Sequence, residues 1–219
     1  MRHDFDAAIF DMDGTLLDTM PYWRFTGIEY MLAHQLPIFP DLVEKTFYTS
    51  SRKLLMENAA RLGIAPDFRE LVSELEEFMN RHYIYDANLK DKLVPKFLEY
   101  LKAGGVRMCV ATGSPRQNAR NGLGRLKLLD FFEFVTDNYE GQYTKDKPEY
   151  FLKLAERLGV APSRCWVFED ALYAMKSAKT AGMRVCAIED ATQRADKEAI
   201  LALADRYILS YAEWPGFAP

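Results

Sequence analysis

Histidine and cysteine are scarce in this chain, three of each in 219 residues. His3, His34 and His82 stand far apart and share no motif, so they read as surface or hydrogen-bonded residues. Cys109, Cys165 and Cys186 are odd in number and widely spaced. Each lies in an apolar run, where cysteine behaves as a small buried hydrophobe rather than part of a disulfide framework. A reduced, cytoplasmic compartment is the expectation. Basic charge is not in excess either. The formal net charge is −4, which argues against nucleic-acid partners, since these draw on a basic field. Long hydrophobic runs are missing: stretches such as 5–10 and 108–111 are far too short to span a bilayer. The first residues carry charge with no apolar h-region behind them, so no signal peptide is expected. Internal repeats, low-complexity tracts and long linkers are absent as well. What is present is a chain 49% hydrophobic, enough to bury a sizeable core in one large domain or in a core with a smaller insert.

Short apolar runs bounded by turn or charged residues predict strands over 5–10, 106–111, 132–136, 165–168, 184–188 and 206–209. Several are nearly continuous in apolar residues, as strands covered on both faces of a parallel sheet are. Amphipathic stretches over 116–128, 148–158, 171–181 and 196–204 predict helices between them. Strand alternating with helix means an α/β fold, a Rossmann-like parallel sheet. From about residue 19 to 92 the alternation breaks. Only helical patterns appear there (22–33, 40–46, 52–62, 68–83), punctuated by Gly63 and Pro66. The expected organisation is a discontinuous α/β core, residues 1–17 and 94–219, with a helical-bundle insert over 18–93. The insert follows the first strand, at the sheet edge where open α/β folds bind ligands.

The strongest local signal is Ile9-Phe10-Asp11-Met12-Asp13-Gly14-Thr15-Leu16-Leu17-Asp18-Thr19. A buried strand stops in two carboxylates at i and i+2, which point the same way on extended backbone. Two poorly solvated anions repel, so a cation or a proton must compensate them. A helix cap needs only one acid, and glycine at the fourth position rather than the sixth is wrong for a calcium loop.

The pattern D-x-D-G-T-L-x-D-[ST] after an apolar strand resembles the first motif of the haloacid dehalogenase superfamily, and the helical insert resembles that superfamily's cap. Later motifs follow in order. Thr112, in Ala111-Thr112-Gly113-Ser114-Pro115, matches the second. A hydroxyl and the next backbone N–H groups at a strand–helix turn, here at Thr112 and Gly113, make an anion cradle, while Ser114 with Pro115 also reads as a helix start. The third motif is a lysine of the form K-P-x-P-D-x-F. Aligning Pro148 with its second proline selects Lys145, but Asp146 stands where proline is expected and Lys147 competes. The fourth is Phe168-Glu169-Asp170, again an apolar strand ending in acids. Ala171 and Ala174 depart from the usual Ser and Gly after it.

The resemblance implies a phosphoryl-transfer enzyme. Asp11 is the nucleophile and Asp13 the general acid and base. Mg²⁺ is held by Asp11, the Asp13 main-chain carbonyl and Asp170, with Glu169 direct or through water. Oxygen ligands from two strand ends suit this hard cation. Dehalogenases lack an acid at the position of Asp13, so a phosphatase acting on a small phosphorylated metabolite is expected, with no nucleic-acid or membrane partner. A hexose phosphate mutase is the nearer rival. Such mutases resemble the chain around Thr49-Ser50-Ser51-Arg52, where an arginine at the position of Arg52 grips a second phosphate, but they carry histidine at the position of Trp23. A phosphate-binding module without turnover belongs to a different class. Tyr22, Trp23, Arg24, Tyr48 and Arg52 are the candidates for setting substrate choice. The oligomeric state is not legible.

Overall fold

The computed structural model describes residues 3–46, 49–65, 67–137 and 143–219. Two compact units are present, Met1–Asp18 with Asn88–Pro219, and Thr19–Ala87. The larger is built on six strands: β1 (Ala7–Phe10), β2 (Arg107–Ala111), β3 (Phe134–Thr136), β4 (Cys165–Glu169), β5 (Arg184–Ile188) and β6 (Arg206–Ile208). They form one sheet in the order β3-β2-β1-β4-β5-β6, parallel at every pairing. All six predicted strands are found, with ends moved by a residue or two. The chain winds outward from β1 through β2 to β3, then returns to place β4 on the other side of β1. The connections reverse there, and the carboxyl ends of β1 and β4 at such a reversal are where open α/β sheets bind ligands.

Successive strand residues face opposite sides of the sheet. Ile9, Cys109 and Val167 pack with Phe151 and Leu154 and with Met175 and Ala178 in one cluster. These come from helices α7 (Pro148–Arg157) and α8 (Leu172–Thr180). Phe10 points the other way and stacks on Phe168, ring centres 4.5 Å apart at 11°. Phe97 and Trp214 close around that pair. With both faces covered, only the strand ends are left for polar groups. Helices α6 (Arg116–Arg125) and α9 (Lys197–Leu203) complete the predicted set.

Helix α5 (Val94–Ala103) is an addition to the sequence expectation. Its buried residues Val94, Phe97, Leu98 and Leu101 trace one helical stripe, and a proline occupies its first turn. Residues 88–93, assigned to the insert from sequence, pack in the larger unit. Leu89 bridges Leu17, Asp18 N–H donates to the Asn88 carbonyl, and Lys90 N–H donates to the Leu16 carbonyl. Asp91 accepts from the Ser210 hydroxyl at 2.6 Å and from Tyr211 N–H at 2.9 Å.

The smaller unit holds α1 (Met20–Ala33), α2 (Pro40–Lys45), α3 (Ser51–Arg61) and α4 (Phe68–Tyr85). Proline in the first turn starts α1 and α2. Ser50 caps α3, and Asp67 caps α4 by accepting from Arg69 and Glu70 N–H. Met31, Leu42, Leu54, Leu55, Leu71 and Leu75 form its core. Tyr48 and Pro66 lie outside the described residues.

Candidate active site

The β1 ladder runs into the site: Asp11 N–H donates to the Phe168 carbonyl at 2.9 Å, one step beyond the Phe10–Phe168 pairing. Glu169 ends β4 and Asp170 follows it. The three acids therefore leave neighbouring strands side by side at the winding reversal. All are buried, and one oxygen of each lies within 4.8 Å of the others. Lys145 comes from the loop before α7. Its Nζ is 2.6 Å from Asp11 Oδ1 and 2.6 Å from Glu169 Oε2. The Lys145 side chain is 2% exposed, whereas that of Lys147 is 59% exposed beside Asp146. Of the two lysines left open by the sequence, Lys145 reaches the acids.

One ammonium cannot balance three buried carboxylates. Burial first, then the charge of Glu169, pushes the Asp11 carboxyl up to about 8. Burial, followed by Asp11 and Glu169, likewise raises Asp170 far above the usual carboxylate range. Burial alone would depress Lys145, but the facing acids outweigh it and hold the ammonium firmly charged. Asp11 Oδ2 is buried with no hydrogen-bond partner among the described residues. That orphaned oxygen, with Asp170 beside it, fits a small hard cation whose shell is completed by water and substrate oxygens. Both Glu169 oxygens are engaged, Oε2 by Lys145 and Oε1 by Ala171 N–H at 3.2 Å.

The Asp13 carboxylate is not one of the three clustered acids, although its charge adds to the rise of Asp11; the family resemblance assigned its main-chain carbonyl, not its side chain, to the cation. Its half-buried side chain accepts a hydrogen bond from the Ser114 hydroxyl, 2.8 Å at Oδ2. Between Asp13 and Leu17 the chain turns sharply. Gly14 N–H donates to the Leu17 carbonyl, and Leu16 and Leu17 N–H both donate to the Met12 carbonyl. Gly14 has φ 87°, a conformation that costs glycine nothing. Thr112 is fully buried at the end of β2, and its hydroxyl accepts from Ser114 N–H at 3.0 Å. Gly113, between them, is exposed.

Residues 5–182 match the family model for haloacid dehalogenase-like hydrolases. The chain belongs to that family. It is 31% identical over 190 residues to the fructose-1-phosphate phosphatase YqaB of Escherichia coli, covering 84% of this chain and 96% of that protein. It is also 29% identical over 185 residues to the beta-phosphoglucomutase of Bacillus subtilis, covering 81% and 80%. The structure of CbbY from Rhodobacter sphaeroides in complex with phosphate superposes with a TM-score of 0.77 at 24% identity, over 95% and 96% of the two chains, a likeness of fold.

The haloacid dehalogenase-like fold thus brings Asp11, Asp13, Thr112, Lys145, Glu169 and Asp170 to one end of one sheet. Arg52 belongs to the other unit. It is exposed on the first turn of α3, its guanidinium 5.4 Å from the centre of the Phe68 ring. Trp23 donates its indole N–H to the Tyr83 hydroxyl at 3.1 Å. Of the two readings open for this segment, the helix start is displaced by one residue: Pro115 is the N-cap of α6 and Asp137 Oδ2 takes the Arg116 N–H at 2.6 Å. The Ser114 hydroxyl turns to Asp13 instead. Its position inside the second family motif was the only sequence signal for that role. Gln193, whose amide lies 3.4 Å from Asp170 Oδ2, carried no signal at all. Among the described residues no helix is long and apolar enough to cross a membrane.

Proposed function

We propose that this chain is a Mg²⁺-dependent phosphatase that hydrolyses a small sugar-phosphate monoester through an aspartyl-phosphate on Asp11. The α/β unit is the catalytic core and the helical unit its cap. One observation carries the reading: Asp11 has one oxygen tied to Lys145 and a second that is buried and unpartnered. Asp11 and Asp170 would hold Mg²⁺, which would supply neutralisation of charge on the phosphoryl oxygens. The reaction proceeds in two displacements. An Asp11 carboxylate oxygen attacks phosphorus in line, and the bond to the sugar oxygen breaks. Asp13, oriented by Ser114, gives that oxygen a proton. Asp13 then takes a proton from water as the water oxygen attacks phosphorus, which returns the Asp11 carboxylate and releases inorganic phosphate. Lys145 and Thr112 complete the anion cradle.

A sugar-phosphate substrate is favoured by the relatives, whose names include both a phosphatase and a mutase of sugar phosphates. Hydrolysis is favoured over the mutase reaction by Trp23, whose indole is engaged with Tyr83 where mutases carry histidine. Arg52 remains the candidate for a second phosphate contact. The three buried, unpaired thiols support a reducing, cytoplasmic setting.

Glucose 1-phosphate with Mg²⁺ separates the readings: free phosphate means a phosphatase, and glucose 6-phosphate means a mutase. Asp11→Asn is expected to abolish both products. Phosphate release at the wild-type rate by that variant would refute the nucleophile, and a wild-type protein inert toward every phosphomonoester tried would leave only a binding module.

A further inference from the structure

Behind Asp170 lies a run of polar side chains that the chemistry above does not use. Gln193 sits in the 3-10 turn Ala191–Asp196, after β5. Its amide nitrogen lies 3.4 Å from Asp170 Oδ2 and 3.4 Å from Thr192 Oγ1. The Thr192 hydroxyl donates to Asp190 Oδ1 at 2.5 Å, and the Thr192 backbone N–H donates to the same oxygen at 2.8 Å. Asp190 Oδ2 accepts from Lys90 Nζ at 2.6 Å, with side chains 4% and 17% exposed. The run is therefore Lys90, Asp190, Thr192, Gln193, Asp170.

The strong links of this run are at its far end. Asp190 and Lys90 compensate each other in a buried pair, where losing either partner strands a charge. That pair, with two short bonds from Thr192, fixes the turn. Gln193 rides on it, its backbone N–H bonded to the Asp190 carbonyl at 3.1 Å and its side chain making only the two long contacts. An amide N–H offered to Asp170 Oδ2 restrains rotation of a carboxylate that has one oxygen within 4.8 Å of oxygens of Asp11 and Glu169. Lys90 adds a second anchor, because its backbone N–H is bonded to Leu16, in the loop that follows Asp11 and Asp13. The same run thus ties the two acid-bearing strand ends together from behind.

We infer that Gln193 is a positioning residue for the cation ligand Asp170, and that Lys90, Asp190 and Thr192 fix the turn that presents it. This rests on the proposed reading of the acids as a cation site. Groups that orient a metal ligand typically govern affinity by roughly 10–100-fold. The test is titration of Mg²⁺ alone, followed by calorimetry and by the rise in unfolding midpoint, with wild type, Gln193→Leu, Thr192→Val and Lys179→Met. Gln193→Leu is expected to weaken Mg²⁺ binding about 10-fold while phosphate release at saturating Mg²⁺ stays within about twofold. Thr192→Val shifts affinity the same way by less, and carries the test if Gln193→Leu does not fold. Lys179→Met removes a surface pair with Asp205, away from the run; its Mg²⁺ affinity is expected unmoved, which separates a loss of ligand orientation in the other two variants from a general loss of stability. Unchanged affinity in both Gln193→Leu and Thr192→Val, with wild type binding normally, overturns the inference alone. Absence of Mg²⁺ binding by the wild type overturns the cation reading itself.

Discussion

The Ser114 hydroxyl is 2.8 Å from Asp13 Oδ2, a bond between residues 101 apart in sequence. It joins the loop after β1 to the loop after β2, and it sets which way the proposed general acid points. Ser114→Ala removes this bond to the Asp13 carboxylate. A drop in kcat of about 10-fold is expected, part of the roughly 10²–10⁴-fold that general acid–base catalysis supplies and that Asp13→Asn removes. Steady-state rates with a sugar phosphate and with an activated aryl phosphate check this. The aryl ester has a better leaving group and needs less acid, so equal losses on both esters would contradict the assignment.

Lys145 is the one cation within reach of Asp11 and Glu169 among the described residues. Lys145→Met strands buried acids, and breaking a buried pair costs about 3–5 kcal/mol. The exposed Lys147 allows a direct comparison, since Lys147→Met is a surface change worth about 0.5 kcal/mol or less. Urea unfolding of the metal-free proteins reads both values. Similar losses for the two variants would mean that the wrong lysine has been placed in the site.

The acid cluster also makes cation binding depend on pH. The Asp11 carboxyl is pushed up to about 8, by burial first and then by Glu169. Asp170 is raised in the same sense. A carboxyl with a raised folded pKa favours the metal-free fold while it stays protonated. That contribution is fully present below about pH 4 and is lost as pH rises toward about 8. Cation binding needs the ionised forms, so Mg²⁺ and protons compete. The Mg²⁺-induced rise in unfolding midpoint should therefore be small near pH 5 and larger near pH 8. Midpoints measured with and without Mg²⁺ across this range decide it; an increment that shrinks with rising pH would be fatal to the account.

In the helical unit, Gly27 lies within α1 at its close approach to α3. An added Cβ would sit 3.0 Å from the Ser51 carbonyl oxygen and 3.1 Å from Ser51 Cβ. Alanine gains about 1 kcal/mol in helix propensity over glycine, but overpacking of this kind costs about 1–3 kcal/mol. The obstacle includes backbone, which cannot swing aside as a side chain can, and Ser51 is further held by its hydroxyl's bond to the Trp23 carbonyl at 2.6 Å. Gly27→Ala should thus destabilise, by about 1 kcal/mol, as read from the thermal midpoint. A stabilised variant would show that α1 and α3 yield easily.

The sheet was legible because strands covered on both faces read as unbroken apolar runs, and the acids were legible because each pair ends such a run. Val94, Phe97, Leu98 and Leu101 form an equally clear stripe, yet α5 sits against the insert boundary, outside the strand–helix alternation from which the other helices are read. Residues 88–93 were assigned to the insert because nothing local marks their bridges to Leu16, Leu17 and Asn88's partner Asp18. Ser114 followed by Pro115 looks like a helix start by itself. In the folded chain Asp137, 21 residues away, takes the Arg116 N–H, and the Ser114 hydroxyl donates to Asp13.

From the sequence alone came the alternation of strands and helices, the helical interruption, and the acidic residues that end β1 and β4, because hydrophobic period and strand-end chemistry are local properties. Which lysine meets those acids, which oxygen of Asp11 is left without a partner, and which way Ser114 turns were decided by the tertiary structure. These depend on burial and on side chains brought together across more than a hundred residues, and no window of sequence contains them.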